Sequence, residues 1–293
     1  MAFLVSLVVE GALTGTVYAL IGMAFVLVYR ATRMINFALG EWVGLGGLLV
    51  AFGGGLGLGA AGAILLACLA LTGLALGFNR LVLDRLAGRQ LIALIMATLG
   101  LSLVLRGGMG VLFGDTPRAL PVSVPTGSID LLGFAVERAR LIIGVSTAGL
   151  MSAIAWFLAR SRAGLALRAL ADDPQAAMAA GIDTGWHCGL AWVLAGLISV
   201  AAGIAWTLLA GGGLGLQLIG LKVFPVVVIG GLDSIGGALL AALVVGIVES
   251  LAAGYLGPVL GYGVGGIVAC VLLLAVLMIR PHGLLGRVRV ERV

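Results

Sequence analysis

Residues 4–28 read LVSLVVEGALTGTVYALIGMAFVLV, an apolar stretch interrupted by one charge, Glu10. A hydrocarbon core of about 30 Å is crossed by about 20 helical residues rising about 1.5 Å each. This run is long enough to span a bilayer. It lacks the polar alternation of a barrel strand, and a helix pairs its own backbone groups where lipid cannot. Working outward, comparable runs recur at 37–55, 58–78, 91–113, 141–159, 187–210, 216–232, 236–256 and 262–280. The expected fold class is an all-α integral membrane protein. We read a polytopic bundle of eight to ten transmembrane helices with broken or re-entrant segments, forming a single domain over 1–293.

Composition agrees with the runs. The 293 residues are 62% hydrophobic and 10% charged, with a mean hydropathy of +1.25, against about 45–50% apolar and about 25% charged in a soluble domain. Forty-nine glycines suit membrane helices. A soluble enzyme, a disordered segment and a disulfide scaffold are excluded. The first basic residue is Arg30, so the opening run has no charged n-region and is expected to be a span rather than a signal peptide. Cys68, Cys188 and Cys270 are scattered without metal-like spacing and read as small packing residues.

The net charge of +5 is unevenly placed. Arg30 and Arg33 follow the first run, Arg80, Arg85 and Arg89 the third, and Arg160, Arg162 and Arg168 the fifth, while Arg280, Arg287, Arg289 and Arg292 close the chain. Simple alternation puts all of these on one side, which by the positive-inside rule is the cytoplasm. The segment 114–140, where Arg118, Arg138 and Arg140 balance Asp115, Asp130 and Glu137, is then an external loop. Its Pro117, Pro121, Pro125, Gly127 and Ser128 suit extended or turning backbone. The N-terminus counts as external and the C-terminus as cytoplasmic.

The inner segment 160–186 contains a marked short helix. Asp173 is placed to cap it, Pro174 suits its first position and Gly181 its C′ position, and Ala176, Ala177, Ala179 and Ala180 are strong helix formers. Two turns are marginal alone in water. Small side chains with Met178 as an adaptable contact fit a helix lying in a groove on another protein; a capped surface helix that merely tidies a loop fits equally.

Six charges fall in or at the ends of the apolar runs: Glu10, Glu41, Arg106, Lys222, Asp233 and Glu249. Such groups cost about 2.5–3.5 kcal/mol at the bilayer centre on insertion scales and face a bundle interior or watery cavity. Glu41 lies beside Gly40 and Gly44, near a break expected at Asn36. Lys222 follows the flexible run Gly211-Gly212-Gly213-Leu214-Gly215, read as a loop or re-entrant approach, and Gly230 to Gly237 is expected to turn at the inner face with Asp233-Ser234 at its tip. The charges line a pathway or pair with one another to fix helix register; both readings stay open. Glu10 fits a structural or interfacial role better, and Arg106 is expected to snorkel. Small-xxx-small pairs at Gly11/Gly15, Gly40/Gly44 and Gly73/Gly77 favour close helix packing, and several of the five tryptophans lie near run ends, where an interfacial position is expected.

Gln175-Ala176-Ala177-Met178-Ala179-Ala180-Gly181 resembles the Glu-Ala-Ala-x-x-x-Gly coupling loop of bacterial ABC importer permeases, with Gln175 in place of Glu and without the later Ile-x-Leu-Pro part. More of the chain resembles the branched-chain amino-acid permease family, of the kind called LivH. The matching segments, in order, are Tyr18-Ala19-Leu20, Met34 to Glu41 (MINFALGE), Arg168 to Asp183, Gly230 to Ala238 (GGLDSIGGA), Gly246 to Ser250 (GIVES) and Arg280 to Gly286 (RPHGLLG). Asn-Phe-Ala-x-Gly-Glu is the most specific of them, and Leu39 departs from the His or Gln common at its variable place.

The resemblance implies a transmembrane permease subunit of a binding-protein-dependent ABC importer in the bacterial inner membrane, for branched-chain or related amino acids. It implies as partners a second permease subunit, homologous or identical, two cytoplasmic ATPase subunits and an external substrate-binding protein, with ATP and Mg on the ATPases and no cofactor in this chain. Coupling would fall to Arg168, Asp172, Asp173, Pro174, Gln175, Ala176, Ala177, Met178 and Gly181. The candidate pathway set is Tyr18, Asn36, Phe37, Glu41, Lys222, Asp233, Ser234 and Glu249. The sequence has no P-loop, and its two histidines, His187 and His282, form no metal cluster. The chain is therefore not expected to be an enzyme or to hold a metal. An ion-gradient-driven secondary transporter or channel would use the same intramembrane charges beside glycine-rich breaks, but has no need of the capped inner helix.

Overall fold

Apolar runs of Ala, Leu, Val, Ile and Gly can leave no backbone group unpaired in lipid, and each becomes a helix. The computed structural model describes residues 2–86, 90–114, 118–125, 127–131, 134–211, 219–261, 263–280 and 282–286. Helix α1 (Ala2–Thr32) is followed by α2 (Leu39–Gly55) and α3 (Gly59–Phe78); a π-helical turn at Asn79–Leu83 leads into the short α4 (Asp84–Leu86), and α5 (Leu91–Phe113) comes next. After the hairpin β1 (Ser128–Leu131) and β2 (Phe134–Glu137) come α6 (Arg138–Arg160), α7 (Arg162–Asp172), α8 (Pro174–Ala179) and α9 (Thr184–Ala210). The chain ends in α10 (Ile219–Gly230), α11 (Ile235–Leu260) and α12 (Val264–Ile279).

Among the described residues six helices are long and apolar enough to cross a membrane, and α2 and α12 are apolar but shorter. The chain is a polytopic, helical membrane protein. The expected eight to ten spans exceed the six long helices because α2, α10 and α12 have only 17, 12 and 16 residues. Most of the expected Gly211–Gly215 loop lies outside the described residues. The outer segment differs from a plain loop: β1 and β2 pair antiparallel, Ser128 opposite Glu137 and Ile129 opposite Val136.

The chain forms two compact units. One comprises residues 1–26, 124–148 and 221–293, the other 27–123 and 149–220. In the first, α1 crosses α11 where glycines let two backbones touch: a Cβ on Gly15 would lie 2.8 Å from the Ala242 carbonyl. Leu13 of α1 packs against Gly144 of α6, and the Thr16 and Thr147 hydroxyls lie 2.7 Å apart. The segment after α12 folds back on the end of α10, with Leu284 N–H donating to the Ile229 carbonyl at 2.7 Å.

In the second unit α2, α3 and α9 pack around Val50, Ala63, Ala67, Leu71 and Val200. Two tryptophans depart from the interfacial expectation. Trp42 and Trp192 are fully buried, their rings 5.6 Å apart, and Phe78 stands 5.3 Å from Trp192. They fill space between α2, α3 and α9 that the small residues around them leave open. Trp156 and Trp186 are exposed. The Gly73/Gly77 pair meets nothing within 4 Å among the described residues, whereas a Cβ on Gly220 would lie 2.7 Å from the Gly40 Cα.

Candidate functional site

The inner segment holds two helices where the sequence suggested one. Ser161 caps α7, its Oγ accepting the Gly164 N–H at 3.0 Å, and Gly164, Ala166, Leu167, Leu170 and Ala171 form its buried face. Serine before the helix and leucines at 167 and 170 were the available signal; the stronger cap at Asp173 drew attention past them. Arg168, on the exposed side, donates to the Ala159 carbonyl at 3.1 Å. Asp172 ends α7.

The cap expected of Asp173 is present: Oδ1 accepts from Gln175 N–H at 2.9 Å and Ala176 N–H at 3.1 Å, and Pro174 takes the first position of α8. The far end closes as a Schellman motif, Gly181 N–H donating to Met178 O and Ile182 N–H to Ala177 O, with Gly181 at φ +84°. Ala177 is buried beneath the helix, while Gln175, Ala176 and Met178 are exposed. Asp183 then caps α9 through Trp186 N–H at 3.1 Å. The result is a short, rigid, doubly capped helix presenting small side chains and one methionine outward.

A contact not foreseen ties this segment to the end of α1. Arg33, the only described non-glycine residue with positive φ (57°), donates from its guanidinium to the Ala171 carbonyl in the last turn of α7. The break expected at Asn36 lies immediately beyond, between α1 and α2. Asn36 is 2% exposed, and its Oδ1 accepts the Ala38 N–H at 3.0 Å. Among the described residues its Nδ2 has no hydrogen-bond partner, which is costly for a buried amide. Thr98 of α5 braces the break, accepting a long 3.5 Å bond from Phe37 N–H and donating to the Ile35 carbonyl at 3.2 Å. Glu41 sits in the first turn of α2, 7% exposed, in the electrostatic reach of Ser102 and Arg106, both on α5. Arg106, expected to snorkel, thus also acts on an intramembrane carboxylate.

Of the remaining intramembrane charges, all in the other unit, Glu10, Lys222 and Glu249 form ion pairs there. Glu10 accepts from Arg140 at 2.9 Å. Glu249 of α11 takes one partner on each oxygen, Lys222 Nζ of α10 at 2.7 Å on Oε1 and the Tyr18 hydroxyl of α1 at 2.8 Å on Oε2. Gly265 of α12 makes room for it, since a Cβ there would stand 2.7 Å from Glu249 Cγ. Asp233 and Ser234 occupy the turn between α10 and α11, where Ser234 Oγ accepts the Gly237 N–H at 3.0 Å and caps α11. Six of the eight pathway candidates thus form two groups, Asn36, Phe37 and Glu41 around the α1–α2 break and Tyr18, Lys222 and Glu249 around one carboxylate, while Asp233 and Ser234 sit in the α10–α11 turn. The three cysteines are free thiols, and among the described residues no acidic, His or Cys cluster is placed to hold a metal.

The chain matches the family described as "Branched-chain amino acid transport system / permease component" over residues 7–279. The high-affinity branched-chain amino acid transport system permease protein BraD of Pseudomonas aeruginosa is 31% identical over 302 residues, covering 97% of this chain and 96% of that protein. LivH of Escherichia coli K12, named as a permease of the same kind of system, is 31% identical with the same coverage. A probable permease from Methanocaldococcus jannaschii is 28% identical over 96% of this chain and 92% of its own length. Among solved structures, PsaBC from Streptococcus pneumoniae in complex with Fab aligns with a TM-score of 0.49 at 17% identity, covering 96% of this chain and 93% of that one. On the family match and these full-length relatives, the chain belongs to the permease components of branched-chain amino acid transport systems.

Proposed function

We propose that this chain is the transmembrane permease subunit of a binding-protein-dependent ABC importer for branched-chain or related amino acids in the bacterial cytoplasmic membrane. It carries no ATPase of its own: two cytoplasmic ATPase subunits bind ATP and Mg, a second permease subunit completes the pathway, and an external binding protein delivers substrate. Residues 160–186 are the cytoplasmic coupling loop, 114–140 the external loop, and the C-terminus is cytoplasmic. The bundle has eight to ten transmembrane spans, some of them broken or re-entrant, within one permease domain.

The observation that carries the reading is α8. Capped at both ends and exposed along Gln175, Ala176 and Met178, it is built to sit in a groove on a partner. Arg168, Asp172, Asp173, Pro174, Ala177 and Gly181 hold it in place. Closure of the ATPase pair around ATP moves α8, and the bundle passes rigidly between outward-open and inward-open arrangements. Asn36, Phe37 and Glu41, with Tyr18, Lys222, Asp233, Ser234 and Glu249, serve the pathway.

Mild-detergent purification from the native membrane followed by mass spectrometry tests this. The expected result is a P-loop ATPase at near-stoichiometric yield, with a second permease beside it if the pair is mixed. A chain that purifies without any ATPase and still drives gradient-dependent uptake in liposomes overturns the proposal.

A further inference from the structure

Glu249 lies about 16 Å or more from either end of α11 at about 1.5 Å rise per residue, deep in the membrane-spanning part of the chain. There it meets Lys222, the one lysine of the sequence, at 2.7 Å, and Tyr18 at 2.8 Å. The Lys222 side chain keeps 39% of its surface open and that of Glu249 15%, while Tyr18 is 2% exposed. An ammonium facing hydrocarbon is strongly disfavoured, so the open side is expected to face water or a polar guest.

We propose that Lys222 and Glu249 form a binding site for the zwitterionic head of an α-amino acid, and that the ion pair is the site's resting, substrate-free state. Resting on the transport reading above, this assigns the permease its own substrate contact. Lys222 takes the α-carboxylate, Glu249 takes the α-ammonium through Oε1, and Tyr18 keeps its bond to Oε2 so that Glu249 stays in position.

The energetics select the ligand class. Opening a buried ion pair is strongly destabilising when it leaves one charge without a partner. An anion would free Lys222 and strand Glu249, a cation would do the reverse, and a neutral solute satisfies neither. A zwitterion replaces both partners at once and leaves the site neutral before and after.

The test uses the assembled transporter in nanodiscs without its binding protein, with radiolabelled leucine as the probe. Wild type is expected to bind leucine saturably, with leucinamide (a cation) and 4-methylpentanoate (an anion) competing at least tenfold more weakly. Lys222→Met and Glu249→Gln should each weaken leucine at least tenfold. Because a lone buried charge can itself spoil folding, the deciding variant is Lys222→Met combined with Glu249→Met. It leaves no charge unpaired and is expected to assemble with normal subunit stoichiometry yet lose leucine binding. An assembled double variant that binds leucine as wild type does, or a wild type without saturable leucine binding, overturns the site. Failure of the wild-type transporter, with its binding protein, to import any amino acid would instead overturn the transport reading.

Discussion

Gly11 and Gly246 meet backbone to backbone. A Cβ on Gly11 would lie 2.7 Å from the Gly246 carbonyl oxygen, and a Cβ on Gly246 would lie 2.5 Å from that of Gly11. No flexible side chain stands between them to give way, so adding a methyl group must push α1 and α11 apart. Overpacking of this kind costs about 1–3 kcal/mol, against about 1 kcal/mol gained in helix propensity on replacing Gly by Ala. Gly246→Ala is therefore expected to lower the melting temperature of the detergent-solubilised protein. Gly73→Ala, which meets open space, is expected to leave it unchanged or raise it. Equal shifts for the two would mean that the crossing is looser than the geometry.

The caps of α8 give a second prediction. Asp173→Ala removes the acceptor of two N–H groups, worth about 1 kcal/mol of local helix stability. Gly181→Arg puts a side chain at φ +84°, where a left-handed residue costs about 1–2 kcal/mol. Its side chain points into open space, so insertion and folding should survive. Both variants are expected to reach the membrane in normal amount, hydrolyse ATP through the partner subunits, and lose at least fivefold in uptake. Full uptake by Gly181→Arg would remove the coupling role from this helix.

Much of the architecture was legible because lipid leaves the chain few choices. Residues 91–113 carry hydropathy and no proline, and the run is a helix with those same bounds. The capped helix at 174 was legible because Asp, Pro and Gly at fixed offsets act locally. Trp42 and Trp192 misled because tryptophan suits both an interface and a core, and only the packing of α2 on α9 decides which. The pairing of Glu249 with Lys222 and Tyr18 joins three helices, and no local spacing announces which carboxylate meets which cation. Arg33 was counted as one of the inner basic residues; nothing around it in sequence signals that its guanidinium reaches Ala171.

Arg33 supplies a third prediction. Its positive φ costs a non-glycine residue about 1–2 kcal/mol, a strain offset here by the bond to the last turn of α7. Arg33→Gly permits the same backbone conformation and removes the guanidinium. Hydrogen exchange over 162–173 is expected to speed up several-fold, while exchange in α9 stays unchanged. Unaltered exchange in α7 would show that its packed face, Leu167 and Leu170 among it, holds the helix without Arg33.

The two intramembrane carboxylates Glu10 and Glu41 separate structural from functional charge. Glu10 and Arg140 are only partly buried in their ion pair, with side-chain exposures of 28% and 31%. Exposed pairs of this kind contribute about 0–1 kcal/mol, so Glu10→Gln is expected to leave both assembly and uptake within about twofold of wild type. Glu41 is buried at the first turn of α2, near Ser102 of α5. It lies next to the helix break where Asn36 keeps a buried amide donor without a partner among the described residues. On the proposed pathway role of this break, Glu41 matters to transport more than to assembly. Glu41→Ala is therefore expected to cut uptake in reconstituted vesicles at least tenfold while the yield of assembled complex falls by less than half. Parallel losses of assembly and uptake would make Glu41 a brace for the α2–α5 contact and nothing more.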